Sequence, residues 1–283
     1  MGAVVVRVGV PEQRRSDGVG EESAPVVPLR TAKAKLARIE EHGGRWRPVD
    51  PPLAVYERAQ ELAADTGGYY VDHLDNLGGA VDRDGVSNLA AEILHDLERI
   101  GRPAPAWIVA GVGTGTTSRA IGRHPRRTGS PTRLAVVAPE NSAYFPGRAT
   151  DCADYATGMP SRIEGIGRPR MEPAFDGSVV DLAIPVPDAA SVAAMRHLRT
   201  ATGWGAGPSS GSCPVGACHL VAGMRERGDT GAVVMLLGDS DLPYADTYYD
   251  DGWIEAKGWD LAKHAAAPAR FTSTGVWDGL LSS

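Results

Sequence analysis

The sequence Trp-Ile-Val-Ala-Gly-Val-Gly-Thr-Gly-Thr-Thr at residues 107–117 runs from four apolar positions into a loop of glycine and threonine. Its first part has the length and composition of a buried strand. The segment 118–123 that follows reads as the first turns of a helix. A strand, a tight turn and a helix N-terminus leave backbone N–H groups without intrahelical partners, and the positive end of the helix dipole lies beside them. Glycines let the backbone come close to a ligand, and threonine hydroxyls add donors. A loop of this kind is suited to an anion such as the phosphate of a cofactor. By itself it is equally compatible with an ordinary strand-to-helix turn, because short glycine-rich loops are common.

Working outward, the alternation of strands and helices continues on both sides. Upstream, a helix over about 88–100 puts Leu89, Ile93, Leu94 and Leu97 on one face, and Pro103 and Pro105 lead into the strand. Downstream, Arg133 to Pro139 and Val179 to Val186 read as strands. Asp188 is placed to cap a helix carrying Val192, Met195 and Leu198. Gly205 to Gly211 forms a second glycine-rich loop before a helix that runs to about Arg227. Ala232 to Gly238 is apolar throughout, as in the middle of a parallel sheet, and ends in Asp239-Ser240-Asp241. Strands separated by helices imply βαβ units, hence an α/β fold with a mainly parallel sheet and helices on both faces. Ligands in such sheets lie at the carboxyl ends of the strands. Three polar or glycine-rich stretches fall at such ends or at the helix starts they feed: 113–117, 207–211 and 238–241.

The front of the chain is less regular. Residues 3–10 are valine-rich enough for a strand, whereas 11–25 are polar and aperiodic, as a loop or disordered segment would be. Thr31 to His42 has a helical pattern stopped by Gly43 and Gly44, Trp46 to Val49 is a short strand, and 53–66 is an amphipathic helix. Tyr69 to Asp72 reads as a strand and Asn76 to Gly85 as a loop. The stretch from Lys263 to Ser283 is Ala-, Thr- and Ser-rich with weak periodicity, which suggests a flexible tail.

Composition narrows the function classes. The 283 residues carry a net charge of −6, so there is no general basic field for nucleic acid or an anionic membrane surface. No apolar run approaches the length of a membrane-spanning helix, and no secretory signal is evident. The three cysteines, Cys152, Cys213 and Cys218, form no CxxC pair and lack histidines at zinc spacing, which fits a reducing cytoplasm and no metal site. Lysine occurs only at positions 33, 35, 257 and 263. Cys213 has no nearby base and reads as an inert thiol. Asp250 and Asp251 read as surface carboxylates, and Tyr248, Tyr249 and Trp253 as packing residues.

Several strings in order resemble a known family: GTGTTSRAIGR at 113–123, TRLAVVAPENSAYFPG at 132–147, SRIEGIGRPRMEP at 161–173, GPSSG at 207–211 and DSDLPYADTYYDDGW at 239–253. Upstream, PLRTAKAKLARIEEHGG at 28–44, YERAQELA at 56–63 and GGYYVDHLDN at 67–76 belong to the same pattern. Together they resemble the pyridoxal-phosphate-dependent cysteine synthases and cysteine desulfhydrase-like enzymes of fold type II. The resemblance implies pyridoxal 5′-phosphate as cofactor and β-replacement or β-elimination on a serine- or cysteine-type amino acid. It implies a phosphate cradle at Gly113, Thr114, Gly115, Thr116 and Thr117, and Ser240 beside the pyridine nitrogen. It implies Gly165, Gly167 and His73 near the substrate, and a homodimer.

Three departures stand out. Thr116 replaces a glycine of the family loop, putting a β-branched side chain where close approach or a positive φ is needed. Asp241-Leu242-Pro243 replaces a Gly-Glu-Arg type segment. The family's early lysine motif, which carries the cofactor covalently, has no counterpart, and none of the four lysines has its context. The expected organisation is therefore an unmatched leader at 1–23, a remnant of the small domain at 24–78, a cofactor-binding domain at 79–260 and a tail at 261–283. A chain lacking the small domain's front would leave an apolar face or sheet edge open. The alternative to a truncated enzyme is a non-catalytic paralogue that binds pyridoxal phosphate or phosphate and acts through protein contacts. A nicotinamide-type fingerprint at Gly111, Gly113 and Gly115 leaves the other motifs without a role.

Overall fold

The computed structural model describes residues 4–7, 24–29, 31, 33–68, 70, 89–159 and 161–278. The chain divides into two units, 11–76 and 1–10 together with 77–283. His73, the strand at 69–72 apart from Tyr70, and the loop expected from Asn76 lie outside the described residues.

The chain opens with β1 (Val4–Arg7), which belongs to the larger unit. The smaller unit is built from β2 (Val26–Pro28), α1 (Lys33–Glu41), β3 (Arg47–Val49) and α2 (Val55–Thr66). β2 and β3 pair in parallel, and Gly67 in the left-handed region stops α2. No residue of α2 is fully buried within this structure.

The larger unit continues with α3 (Leu89–Arg99), β4 (Trp107–Gly111), α4 (Thr116–Thr128), β5 (Arg133–Pro139), α5 (Tyr144–Ala149), β6 (Leu182–Val186), α6 (Asp188–Thr202), α7 (Pro208–Glu226), β7 (Val233–Leu237), α8 (Asp251–Ala256) and α9 (Ala262–Thr274). Its five strands form one parallel sheet in the order β1-β7-β4-β5-β6. Successive side chains in a strand point to opposite faces, and both faces are covered. On one face Val109, Val137, Ile184 and Met235 pack with Ala190, Ala194, Val215, Leu220 and Met224 of α6 and α7. On the other, Ile108, Val136, Val234 and Leu236 pack with Ile93 and Leu97 of α3 and Ile121 of α4. This two-sided burial is why β7 reads as an unbroken apolar run: all five of its residues are buried.

Three expectations are corrected. The tail is helical: α9 spans Ala262–Thr274 and packs against α6 and α7. Alanine's high helix propensity outweighs the weak periodicity that suggested flexibility. Asp188 is not the cap of α6: Pro187 holds that position, its carbonyl accepting from the Ser191 N–H at 3.0 Å, and Asp188 is the first helical residue. Only the first part of the second glycine-rich stretch is loop, because Pro208, preset for a first helical position, starts α7 immediately after Gly207.

Candidate functional site

The loop that follows β4 bends at Gly115, which lies in the left-handed region at φ 93° and precedes the first turn of α4. The N–H groups of Gly113, Thr114, Gly115, Thr117 and Ser118 make no hydrogen bond among the described residues. That of Thr116 points at the Thr114 hydroxyl at 3.4 Å. They face a cavity of about 170 Å³ lined by Gly111 to Gly115, Thr117, Ser118 and Gly165. Unpaired donors at a helix N-terminus around a small cavity are suited to an anion.

The glycines are needed for closeness. A Cβ on Gly113 would lie 2.4 Å from the Gly165 carbonyl oxygen, and one on Gly115 2.5 Å from the Phe175 Cα. Behind the loop, the buried Tyr144 hydroxyl donates to the Gly113 carbonyl, the Tyr144 ring packs on Phe175 with centroids 4.6 Å apart, and the buried Ser118 hydroxyl donates to the Gly115 carbonyl at 2.9 Å. These braces occupy the Gly113 and Gly115 carbonyls, while the loop's N–H groups named above stay without a bond among the described residues. Sequence reasoning missed Tyr144, Phe175 and Ser118. Tyr144 carried a signal, since it lies within the APENSAYFPG string.

Thr116 does not act as expected. It is the first residue of α4, with helical backbone, and the positive φ falls on Gly115 instead. Its hydroxyl lies 3.0 Å from that of Thr114, so the substitution adds a polar pair rather than strain.

The other strand ends converge on the same region. A Cβ on Gly111 would lie 3.7 Å from the Ser209 carbonyl oxygen, and one on Gly165 3.4 Å from the Ser209 Cβ. The Gly238 N–H donates to the Ser210 hydroxyl at 2.9 Å, and the Gly207 N–H donates to the Asp239 carbonyl at 3.0 Å. The stretch 161–167 closes the opposite side. Gly165 at φ 88° lines the cavity, and the Gly167 N–H donates to the Val112 carbonyl at 2.8 Å. Gly167 supports this wall without lining the cavity. Ser240 is half-buried next to Asp239 at the end of β7 and is not among the lining residues. The Tyr244 hydroxyl donates to the Asp239 carboxylate at 2.5 Å, and burial beside that carboxylate pushes its pKa up.

The other singled-out residues have structural roles. Asp250 caps α8 by accepting from the Trp253 N–H at 2.7 Å, and Asp251 pairs with Arg196 at 2.5 Å. Tyr248 and Trp253 pack with centroids 4.8 Å apart. Burial raises the thiol pKa values of Cys213 and Cys218 to about 12, so neither is a nucleophile near neutral pH. No group of His, Cys, Asp and Glu among the described residues could hold a metal ion, and no described helix is long and apolar enough to cross a membrane.

A family profile described as pyridoxal-phosphate dependent enzyme matches residues 18–239. The chain belongs to this family. It is 46% identical over 252 residues to L-cysteine desulfhydrase Cds1 of Mycobacterium tuberculosis, an alignment covering 89% of this chain and 68% of that protein. It is 28% identical over 153 residues to the cystathionine beta-synthase of Apis mellifera, covering 54% of this chain and 29% of the other. Among solved structures, the hydrogen sulfide-producing enzyme of Fusobacterium nucleatum superposes with a TM-score of 0.67 at 21% identity, over 86% of this chain and 70% of that one. An O-ureido-L-serine synthase superposes with a TM-score of 0.66 at 20% identity, over 84% and 73%. At those identities the structural likeness speaks for the fold, a fold-type-II architecture.

The family's cofactor is pyridoxal 5′-phosphate, and the chain's residues fit its phosphate end. The cradle offers unpaired N–H donors, and Gly113 and Gly115 stand where a Cβ would collide with the facing main chain. No lysine is among the residues lining the cavity. The Lys257 ammonium lies 4.7 Å above the Trp253 ring, Lys263 is on α9, and Lys33 and Lys35 belong to the smaller unit.

Proposed function

We propose that the Gly113–Ser118 loop binds the phosphate of pyridoxal 5′-phosphate, and that the chain serves β-elimination or β-replacement on a cysteine- or serine-type amino acid. The observation that carries the first part is the set of unpaired N–H groups around a cavity of about 170 Å³ at the N-terminus of α4. The second part is supported by the 46% identity to an L-cysteine desulfhydrase. Release of sulfide from L-cysteine is the reaction we assign first. Bound pyridoxal phosphate supplies an electron-withdrawing ring that eases loss of the substrate's α-proton.

The chain's own residues have distinct parts in this reading. Backbone donors of 113–118 neutralise the phosphate and fix the register of the ring. Ser240 would offer a hydroxyl to the ring nitrogen, which would favour its unprotonated form where a carboxylate would not. Gly165, which lines the cavity, would stand beside the bound group. We place the protein in the cytoplasm as a homodimer.

A second reading is favoured by the cavity's lining, which contains no lysine: a non-catalytic pyridoxal-phosphate- or phosphate-binding paralogue acting through protein contacts. One experiment separates them. The purified protein is mixed with pyridoxal 5′-phosphate and its visible spectrum recorded, then treated with borohydride, mapped by mass spectrometry, and assayed for sulfide from L-cysteine. The enzymatic reading predicts a protein-bound chromophore, sulfide release, and a reduced adduct on one lysine. A bound chromophore with no adduct and no sulfide establishes the paralogue reading. No binding at all overturns both.

A further inference from the structure

The wall that carries Gly165 is pinned at two points. At one, the Gly167 N–H holds the Val112 carbonyl. The other is Arg162. The Tyr248 hydroxyl donates to its carbonyl at 2.8 Å and accepts from the Glu164 N–H at 3.1 Å. The Arg162 side chain donates to the Lys257 carbonyl at 2.9 Å, and its guanidinium lies 4.5 Å above the Trp259 ring. Its Nε stands 3.5 Å from the Asp188 carboxylate. Between the pins Ile163 is buried and Gly165 lines the cavity.

Asp188 is the anomaly in this arrangement. It is 1% exposed, yet neither carboxylate oxygen has a hydrogen-bond partner among the described residues. A buried carboxylate without hydrogen bonds is destabilising, and a nearby cation is what offsets it. The charged and titratable groups that bear on it are Glu140 at the end of β5, Arg162 on the wall and Tyr248 ahead of α8; His264 on α9 in turn senses Glu140. Burial first, and then Glu140, push the Asp188 carboxyl up to about 7, against the opposing pull of Arg162.

We propose that Asp188 is a positioning residue which, through the Arg162 guanidinium, holds the 161–167 wall against the phosphate cradle. The effect on ligand binding rests on the reading of the cavity as a phosphate site; the effect on the wall does not. Packing of Ile163 and the Tyr248 bonds would retain the wall loosely once the pair is lost. Because the carboxyl titrates near neutrality, the wall tightens as the pH rises through about 7.

The test uses the full chain as wild type, Asp188→Asn and Arg162→Gln. Hydrogen exchange of peptides spanning 161–167 is followed without ligand across neutral pH and corrected for intrinsic rates. Binding of pyridoxine 5′-phosphate, which cannot react with a lysine, is measured by calorimetry in parallel. Expected is exchange about tenfold faster in both variants above neutral pH, with the difference from wild type shrinking below about pH 6. Affinity should fall about three- to tenfold in the variants. A merely structural role would give a difference independent of pH. Equal exchange in wild type and Arg162→Gln, or a pH-independent difference, overturns the proposal even where Asp188→Asn does not fold. If the variants loosen the wall while wild type shows no affinity for pyridoxine 5′-phosphate, the positioning role stands and the phosphate reading falls.

Discussion

Gly115→Ala puts the account of the cradle at greatest risk. Gly115 has φ 93° and ψ −13°, and an added Cβ would lie 2.5 Å from the Cα and 2.6 Å from the N of Phe175. The left-handed backbone alone costs about 1–2 kcal/mol for a residue with a Cβ. The collision is with main chain rather than a flexible side-chain tip, so an overpacking cost of about 1–3 kcal/mol adds to it. The total is about 2–5 kcal/mol, a large share of the about 5–15 kcal/mol that holds a typical domain. Gly129→Ala is the internal control. Gly129 also has a positive φ, 69°, but a Cβ there meets nothing within 4 Å. It should show the backbone cost alone, about 1 kcal/mol. Urea unfolding followed by circular dichroism gives both values. We expect Gly115→Ala to lose at least about 1 kcal/mol more than Gly129→Ala, and to lose most of its affinity for pyridoxine 5′-phosphate while the control keeps it. Equal stability losses in the two variants would refute the reasoning, because the close approach of Phe175 would then play no part.

Other perturbations test separate parts of the account. Thr116→Gly, which restores the glycine of the related loops, should leave phosphate affinity within about threefold and lower stability by about 0.5–1 kcal/mol; a large gain in affinity would mean the side chain obstructs the site. In the folded protein a thiol reagent near neutral pH should modify Cys152 ahead of Cys213 and Cys218, whose pKa values lie at about 12, as peptide mapping would reveal. The raised pKa of Asp188, about 7 against 3.8 in the absence of the fold, means that the folded state binds the extra proton between those values. Wild-type stability should therefore fall with rising pH across that window, and Asp188→Asn should flatten the fall in urea unfolding series.

What the sequence made legible follows from how each residue is used. β4 and β7 were readable because a strand covered on both faces must be apolar at every position, as Val233 to Leu237 are. The cradle was readable because close approach can be met only by glycine, and Gly113 and Gly115 both stand where a Cβ would strike main chain. Tertiary contacts were not readable. Tyr144 and Phe175 lie 31 residues apart but jointly brace the loop, and Asp188 meets Arg162 only because the end of β6 and the 161–167 wall come together. α9 was hidden because its stability comes from alanine propensity and from packing on α6 and α7 rather than from a sharp apolar stripe. Thr116 looked obstructive because sequence alone does not say which residue of a glycine-rich turn takes the positive φ. That residue is Gly115.

The central claim is that the unpaired N–H groups of Gly113, Thr114, Gly115, Thr117 and Ser118 hold a phosphate. Calorimetric titration with pyridoxine 5′-phosphate and with unphosphorylated pyridoxine tests it most directly, since the two ligands differ only in the group the cradle is meant to bind. The account predicts that the phosphorylated ligand binds about a hundredfold more tightly or better, that inorganic phosphate competes with it, and that Gly115→Ala abolishes the preference. Equal affinity for the two ligands, or a preference that survives in Gly115→Ala, would contradict it.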